Sequence, residues 1–288
     1  MNTNVYNDKL TVIVVSFHSE HIIEDLINTI EKNIKILVIE NSLNKKLKLN
    51  LEKKYKNIKV IIPEKNLGVG GGINLAFGLI KTKFALHLSA DTVPDKDMIN
   101  ILLENAEKIK NFSLLAPKIQ NFKYGNELYI EKNISKNYHK MKYIIGAALL
   151  FNMKSLEKTG YFDENIFMYY EEVDLYFRCL KLGLDIYLID DAKIIHHGAS
   201  STNENFKHEI TLNRNWHYCW SKFYHYKKNY SYFYGIRKTY FNFLRSMITY
   251  LIYFIIRNKK SSLHMAEIQG FMASYFLRKS YHRPSINT

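Results

Sequence analysis

Cysteine is scarce in this chain of 288 residues, with only Cys179 and Cys219. That excludes a disulfide-built scaffold and fits a reducing, cytoplasmic compartment. No Cys/His cluster has zinc-finger spacing, so a zinc-folded module is excluded as well. Long hydrophobic runs are missing too. The most apolar stretch, FNFLRSMITYLIYFII at 241–256, has an uncharged core of only eleven residues, Ser246 to Ile256. A bilayer span needs about 20, so the segment is expected to be a buried or interfacial helix. The start, MNTNVYNDKL, is polar and precedes an apolar run of only Thr11–Phe17, so no signal peptide is expected. Internal repeats and low-complexity tracts are absent. Acidic residues are depleted from one region: 205–288 holds 14 Lys and Arg against Glu209 and Glu267.

That asymmetry divides the chain. Residues 205–288 carry +12 of the net +14 and 21 of the 41 aromatics, in runs such as Trp216–Trp220, Phe223–Tyr226 and Tyr230–Tyr234. The reading is a nearly neutral globular domain over 1–204 and a basic, aromatic helical tail over 205–288, joined near Ser200–Phe206. Lys and Arg at 237–238, 245, 257 and 259–260 flank the apolar core. They suit a segment lying in the headgroup layer of an anionic membrane surface. The same residues leave open a helical subdomain packed on the first domain, or a homodimer contact. Interleaved bases and aromatics also raise a non-catalytic nucleic-acid binder. That rival leaves the acidic strand ends of the first domain unexplained, and no nucleic-acid partner is expected.

The first domain alternates. LTVIVVSF at 10–17 is a β-branched run fit for a strand covered on both faces. Glu20–Ile30 follows with Ile22, Ile23, Leu26, Ile27 and Ile30 on one helical stripe. Lys35–Ile39, Ile58–Ile62, Phe84–Leu88 and Phe112–Ala116 read as further strands, and Gly70–Ile80 and Asp95–Ile109 as helices. A Lys- and Asn-rich connection joins the second and third strands, and Lys118–Lys142 reads as a long loop. This alternation predicts a layered α/β fold with a mostly parallel sheet. Ligands collect at the carboxyl ends of such strands. Four consecutive ends here are polar: Ser16–Ser19, Glu40–Ser42, Glu64–Gly72 and Ser89–Asp91.

A second concentration of chemistry lies in YFDENIFMYYEEVDLYFRCLKLG at 161–183. Val173, Phe177 and Leu180 recur at helical spacing from Glu171 onward, and Gly183 is a natural stop. Carboxylates in a first helical turn are favoured by the helix dipole and tend to stay ionised, so one of them can accept a proton from a hydroxyl. The plainer alternative has Glu171 and Glu172 decorating a helix start, with Asp174 paired to Arg178 one turn on. Glu171 and Glu172 are successive and point about 100° apart on a helix, which excludes them as the opposed pair of a glycosidase.

Seven segments fall in one order: VIVVSFHS at 12–19, VIENS at 38–42, NLGVGGGIN at 66–74, LSADT at 88–92, IIGAALLF at 144–151, GYFDENIFMYYEEVDLYFR at 160–178 and IIHHGASS at 194–201. In that order and spacing, over 10–201, the chain resembles the family 2 glycosyltransferases of the GT-A fold. It looks closest to their rhamnosyltransferase-like branch. The resemblance implies a GT-A catalytic domain with a C-terminal helical region, and these roles. Ser16, His18 and Glu40 hold the nucleotide, Glu40 by accepting a hydrogen bond from a pyrimidine N–H or else merely capping a turn. Asn66, Gly68 and Asn74 line the donor site. The glycines at 68, 70, 71 and 72 follow the third strand rather than the first, which argues against a dinucleotide fingerprint. Asp91 meets the diphosphate and a divalent cation, Mg2+ or Mn2+, with His196 as a further ligand. The relatives' full acidic motif is cut here to Ser89-Ala90-Asp91, which Mg2+ tolerates because it keeps waters and takes diphosphate oxygens.

Glu172 takes the general-base position, where relatives commonly carry Asp. Glu171, Gly146 and Asp163 belong to the acceptor side; Asp163 either orients the attacking hydroxyl or caps a turn. The implied reaction is direct displacement with inversion, from a nucleotide-sugar donor to a glycan or lipid-linked acceptor, at the inner face of the plasma membrane. A nucleotidyltransferase is the enzymatic rival, but no glycine-rich loop with a basic residue follows the first strand.

Overall fold

A computed structural model of the chain describes residues 9–121, 129–135, 137–198 and 207–283. The chain divides into two compact units, Met1–Phe162 with Leu175–Thr202, and Asp163–Asp174 with Asn203–Thr288.

The first unit runs β1 (Leu10–Ser16), α1 (Ile23–Thr29), β2 (Lys35–Glu40), α2 (Lys45–Lys54), β3 (Ile58–Ile61), α3 (Gly68–Phe77), β4 (Phe84–Leu88), β5 (Thr92–Pro94), α4 (Met98–Lys108), β6 (Phe112–Ile119), β7 (Tyr129–Ser135), β8 (Tyr138–Met141), β9 (Ala148–Asn152) and α5 (Met153–Thr159). It then takes all but the first turn of α6 (Glu171–Lys181), and β10 (Asp185–His196). One mixed sheet has the order β3-β2-β1-β4-β9-β6-β10-β8-β7, with β5 paired to β10. β3, β2, β1 and β4 are mutually parallel, while β9 runs antiparallel between β4 and β6. The pleat sorts β1 between two cores: Leu10, Val12 and Val14 pack with residues of α1, α2 and α4, and Ile13 with residues of α3, α5 and α6. Burial on both faces is what demanded the continuous apolar run. The register sets Ser16 beside Glu40 at the adjacent carboxyl ends of β1 and β2.

Two expectations fail. The Lys- and Asn-rich connection contains α2. Asn44 Oδ1 accepts from Leu47 N to cap it, and only Leu47 and Leu51 are buried, so lysines on the remaining faces obscure a narrow apolar stripe. The long loop expected over Lys118–Lys142 is partly sheet: β6 continues to Ile119, and β7 and β8 form an antiparallel ribbon on β10. Residues 122–128 and 136 of that stretch lie outside the described residues. Helices also start late, α1 at Ile23 and α4 at Met98, since the leading residues form turns.

The second unit holds the first turn of α6 and three helices: α7 (Lys207–Asn229), α8 (Tyr232–Ile255) and α9 (Ser261–Tyr275). Aromatics on α7 form its centre, with Trp216 and Trp220 stacked at 6.4 Å and Phe223 edge-on to Tyr275 at 4.9 Å. Glycines set the helix spacing. A Cβ on Gly235 would stand 2.8 Å from the Phe223 ring, and one on Gly270 would enter the Trp216 carbonyl. Because backbone cannot yield as a side chain does, Gly270→Ala is expected to cost about 1–3 kcal/mol. Urea unfolding followed by circular dichroism checks this, and unchanged stability contradicts the packing described.

Candidate active site

In the first unit, the donor-side residues are built by strand ends and one glycine loop. Glu40 is fully buried at the end of β2. Its Oε1 accepts from Ser42 N at 2.8 Å and from the Ser42 hydroxyl. Among the described residues, its Oε2 and the hydroxyl of Ser16 one strand over are buried with no hydrogen-bond partner. Two orphaned polar atoms at neighbouring strand ends are costly unless something fills them. His18 follows with φ 52°, a left-handed conformation uncommon outside glycine and the small polar residues.

Asn41 ties this end to the glycine loop. Its Nδ2 donates to Gly68 O at 2.9 Å, and its Oδ1 accepts from Leu67 N at 3.3 Å. Asn66 Oδ1 accepts from Gly68 N at 2.9 Å, and Gly68 at φ 73° occupies a backbone region open to glycine. Gly72 lets α3 approach β1, since a Cβ there would meet the Val15 methyls at 3.1 Å. Asn74 spends its side chain on Phe162, donating to the carbonyl at 2.9 Å and accepting from the amide at 3.0 Å. It therefore anchors the chain after α5.

Asp91 lies just past β4, nearly buried. β5 pairs with the end of β10, placing Thr92 opposite His196, and His197 N donates to Asp91 O. As a result His196 Nε2 sits 3.4 Å from Asp91 Oδ1. Burial pushes the Asp91 carboxyl up, but His196 and His197 pull harder and leave it below its ordinary value. Asn121 brackets the His196 backbone, donating to its carbonyl and accepting from its amide. His196 Nδ1 is buried with no partner. Ser89 N donates to Ala147 O at 2.8 Å, which brings Gly146 to the same turn. Among the described residues no three His, Cys, Asp or Glu gather as a metal cage. Asp91 and His196 still fit a cation that draws its other ligands from diphosphate and water, as Mg2+ and Mn2+ do.

In the second unit, the acids are held by α7. Asp163 Oδ2 accepts from Tyr224 at 3.0 Å and Lys228 at 2.7 Å, while its Oδ1 accepts from the Asn165 amide. Burial raises the Asp163 carboxyl, but Lys228 and Asn165 outweigh it and leave it below its usual value. Asp174, fully buried, accepts from Lys228 at 2.8 Å and Asn229 at 3.0 Å. Lys228 thus bridges two acids eleven positions apart. Within the first unit, Arg178 donates to the carbonyls of Thr159, Gly160 and Tyr161.

Glu171 departs from the helix-dipole expectation. Burial, reinforced by the neighbouring Glu172 carboxyl, holds it well above its ordinary value, and its Oε2 has no hydrogen-bond partner. Desolvation wins over the helix dipole, whose surface worth is about 0.3–1 kcal/mol. Tyr169 and Tyr170, just before α6, have φ of 60° and 69°. Contacts to Tyr218 at 5.8 Å and, for Tyr170, to His225 at 5.6 Å accompany this backbone. Such strain persists only where packing over-determines it.

The first unit therefore pairs Asp91 with His196 and gathers Ser16, Glu40, Asn66 and Gly68 around Asn41. The second gathers Asp163 and Asp174 on Lys228 and sets the Glu171 carboxyl beside that of Glu172. Sequence reasoning missed Asn41, Asn121 and the set Tyr224, Lys228 and Asn229. Only Asn41 carried a signal, its place inside VIENS.

The layered sheet with its switch from parallel to antiparallel order is the GT-A fold. Solved structures share it: a mannosyltransferase from Pyrobaculum calidifontis in complex with GDP-Man and Mn2+ matches with a TM-score of 0.61 at 11% identity, covering 96% of this chain and 89% of that one. TarS 1–349 of S. aureus in complex with UDP-GlcNAc matches with a TM-score of 0.53 at 14% identity, covering 93% and 90%. The model of the family described as glycosyl transferase family 2 matches residues 11–160, and the chain belongs to that family. Among curated relatives, the low-salt glycan biosynthesis hexosyltransferase Agl10 of Haloferax volcanii is 24% identical over 62% of this chain and 64% of its own length. The chain thus spans just under two-thirds of that relative. The N-acetylglucosaminyl-diphospho-decaprenol L-rhamnosyltransferase of Mycobacterium tuberculosis is 21% identical over 69% of this chain and 79% of that protein.

A raised carboxyl binds its proton more tightly in the folded state, so its stabilising contribution is full below the unfolded value of 4.5 and is lost as pH rises toward the folded value. Glu171→Gln removes that dependence. Its melting temperature is expected to gain on wild type progressively as pH climbs above 4.5. A constant offset from pH 4.5 to 8 contradicts the raised carboxyl.

Proposed function

We propose that this chain is an inverting glycosyltransferase. It moves a sugar from a nucleotide-diphosphate donor, dTDP-rhamnose or a UDP-sugar, to a hydroxyl of a glycan or lipid-linked acceptor in surface polysaccharide synthesis. The single observation behind the donor half is the pair of buried, unpartnered atoms Glu40 Oε2 and Ser16 Oγ at adjacent strand ends. A pyrimidine N–H satisfies the first, and a base or ribose polar group the second. The name of the mycobacterial relative supports a lipid-linked acceptor, and we set the reaction at the cytoplasmic face of a membrane.

Asp91 and His196 are the residues that would hold a divalent cation. Such an ion supplies positive charge to the departing diphosphate. Asn66 and Gly68 shape the loop beside the nucleotide. Glu172 accepts the proton of the acceptor hydroxyl, whose oxygen then attacks the anomeric carbon on the face opposite the diphosphate. The adjoining carboxyls divide this work. Two close carboxyls cannot both ionise easily; burial and the Glu172 charge hold the Glu171 carboxyl above its ordinary value, and Glu172 is assigned as the acceptor.

Glu172→Gln is expected to retain donor affinity and lose transfer by about 10²–10⁴-fold, whereas Glu171→Gln, which copies the protonated partner, keeps most of the transfer. Donor titration and initial rates on the same preparations decide it. Loss of donor binding with residual transfer in Glu172→Gln contradicts the base assignment. Asp91→Asn is expected to abolish cation-dependent transfer; wild-type turnover in that variant, or turnover undiminished by a chelator, contradicts the role of Asp91.

A further inference from the structure

Helix α8 has its polarity reversed relative to an ordinary surface helix, which turns an apolar stripe inward and polar residues outward. Its inward residues, at spacings of four, three and four, are Gly235, Thr239, Asn242 and Ser246. Gly235 receives the Phe223 ring of α7. The Thr239 hydroxyl donates to Gly235 O at 2.8 Å and lies 3.0 Å from the Tyr275 hydroxyl of α9. Asn242 Oδ1 accepts from Lys222 of α7, and the Ser246 hydroxyl donates to Glu267 of α9 at 2.6 Å. Thr239 and Ser246 are 0% and 1% exposed. Phe243 packs on Phe271 and Tyr275 of α9, but most of the other large apolar residues point the other way: Phe241 is 78% exposed, Ile248 58%, Ile252 53% and Ile255 77%, flanked by exposed Leu251, Phe254 and Ile256.

We infer that α8 is the docking element for an anionic phospholipid bilayer and lies in the plane of its headgroup layer. Folding alone does not produce this arrangement, since solvating seven large apolar side chains on one short stretch is unfavourable at about 25 cal/mol per Å2, and contiguous patches of this kind mark contact surfaces. Charge identifies the occupant. Arg237, Lys238, Arg245, Arg257, Lys259 and Lys260 are all exposed, and no Asp or Glu occurs between Glu209 and Glu267. Each Lys or Arg near an anionic surface contributes about 1 kcal/mol, and long basic side chains keep their heads in the lipid phosphates while their stems lie against apolar groups. A second copy of the chain brings the same cations to the interface, where like charges are costly.

Spanning is a different matter. No helix among the described residues is long and apolar enough to cross a membrane. The uncharged core from Ser246 to Ile256 rises only about 16 Å at 1.5 Å per residue, and the inward face of α8 is already occupied by α7 and α9. In-plane insertion buries the outward stripe and asks nothing of the other side.

The inference rests on the proposed lipid-linked acceptor for its purpose, and its test needs no transfer. The full chain is sedimented with vesicles of pure phosphatidylcholine and of phosphatidylcholine with phosphatidylglycerol, at low and high salt. Binding is expected on the anionic vesicles, weakened by salt. The triple variant Ile248→Ser, Ile252→Ser, Ile255→Ser is expected to bind at least about tenfold more weakly, with unchanged circular dichroism because these side chains are solvated in the folded chain. Replacing Arg257, Lys259 and Lys260 by Ser is expected to remove most of the preference for anionic lipid while leaving the fold intact. Absence of binding to phosphatidylglycerol vesicles overturns the inference. So does a lipid-free dimer that the triple Ser variant dissociates, which assigns the stripe to a second copy. Transfer to a soluble acceptor without vesicle binding rejects α8 docking alone; vesicle binding by a chain inactive with every donor rejects the glycosyltransferase reading alone.

Discussion

A three-residue strand governs the donor side of this molecule. β5 pairs with the last residues of β10, and through that pairing Asp91 meets His196 across more than a hundred residues of sequence. Without it a lone buried acid remains at the end of β4. With it, burial and the imidazole oppose each other on one carboxyl, and the imidazole wins. The neighbouring features answer to the same sheet edge. Parallel register sets Ser16 beside Glu40, Asn41 reaches across to hold the glycine loop, and Gly72 lets the following helix close on β1.

The second unit solves a different electrostatic problem. It places five acids, Asp163, Glu164, Glu171, Glu172 and Asp174, within twelve residues of chain, with Asp174 fully buried. Asp163 and Asp174 share the Lys228 ammonium, with amide and phenol donors also on them. Glu171 has no such partner and its burial is expressed as a raised carboxyl. A buried acid without a counter-ion adjusts its protonation instead of paying the full desolvation cost.

What could be read from the sequence follows from where the information lies. Strands buried on both faces declare themselves as apolar runs, so β1 to β4 were legible nearly to the residue and β6 in its buried first five residues. α2 was not, because two buried leucines among lysines give little periodic contrast. β7 and β8 were not, because an edge ribbon carries polar residues that read as loop. Ser16, Glu40, Asn66, Gly68 and Asp91 were legible as polar punctuation at strand ends and through their order along the chain. Lys228 was invisible, since its partners lie 54 and 65 residues away and a lysine in a basic helix has no local signature. The state of Glu171 was also out of reach, because desolvation depends on neighbours that the dipole argument cannot see.

The central claim is that Glu40, Ser16 and Asp91 mark a site for a nucleoside diphosphate sugar with a divalent cation. A thermal-shift panel of nucleotide sugars, each with Mg2+, Mn2+ or chelator, tests it most directly. A ligand at 100 times its dissociation constant adds about 2.7 kcal/mol to stability, enough to move a melting curve by several degrees. The account predicts that at least one pyrimidine nucleotide sugar raises the melting temperature with cation, and that chelator removes most of the rise. No shift from any donor, or a shift indifferent to both chelator and Asp91→Asn, contradicts it.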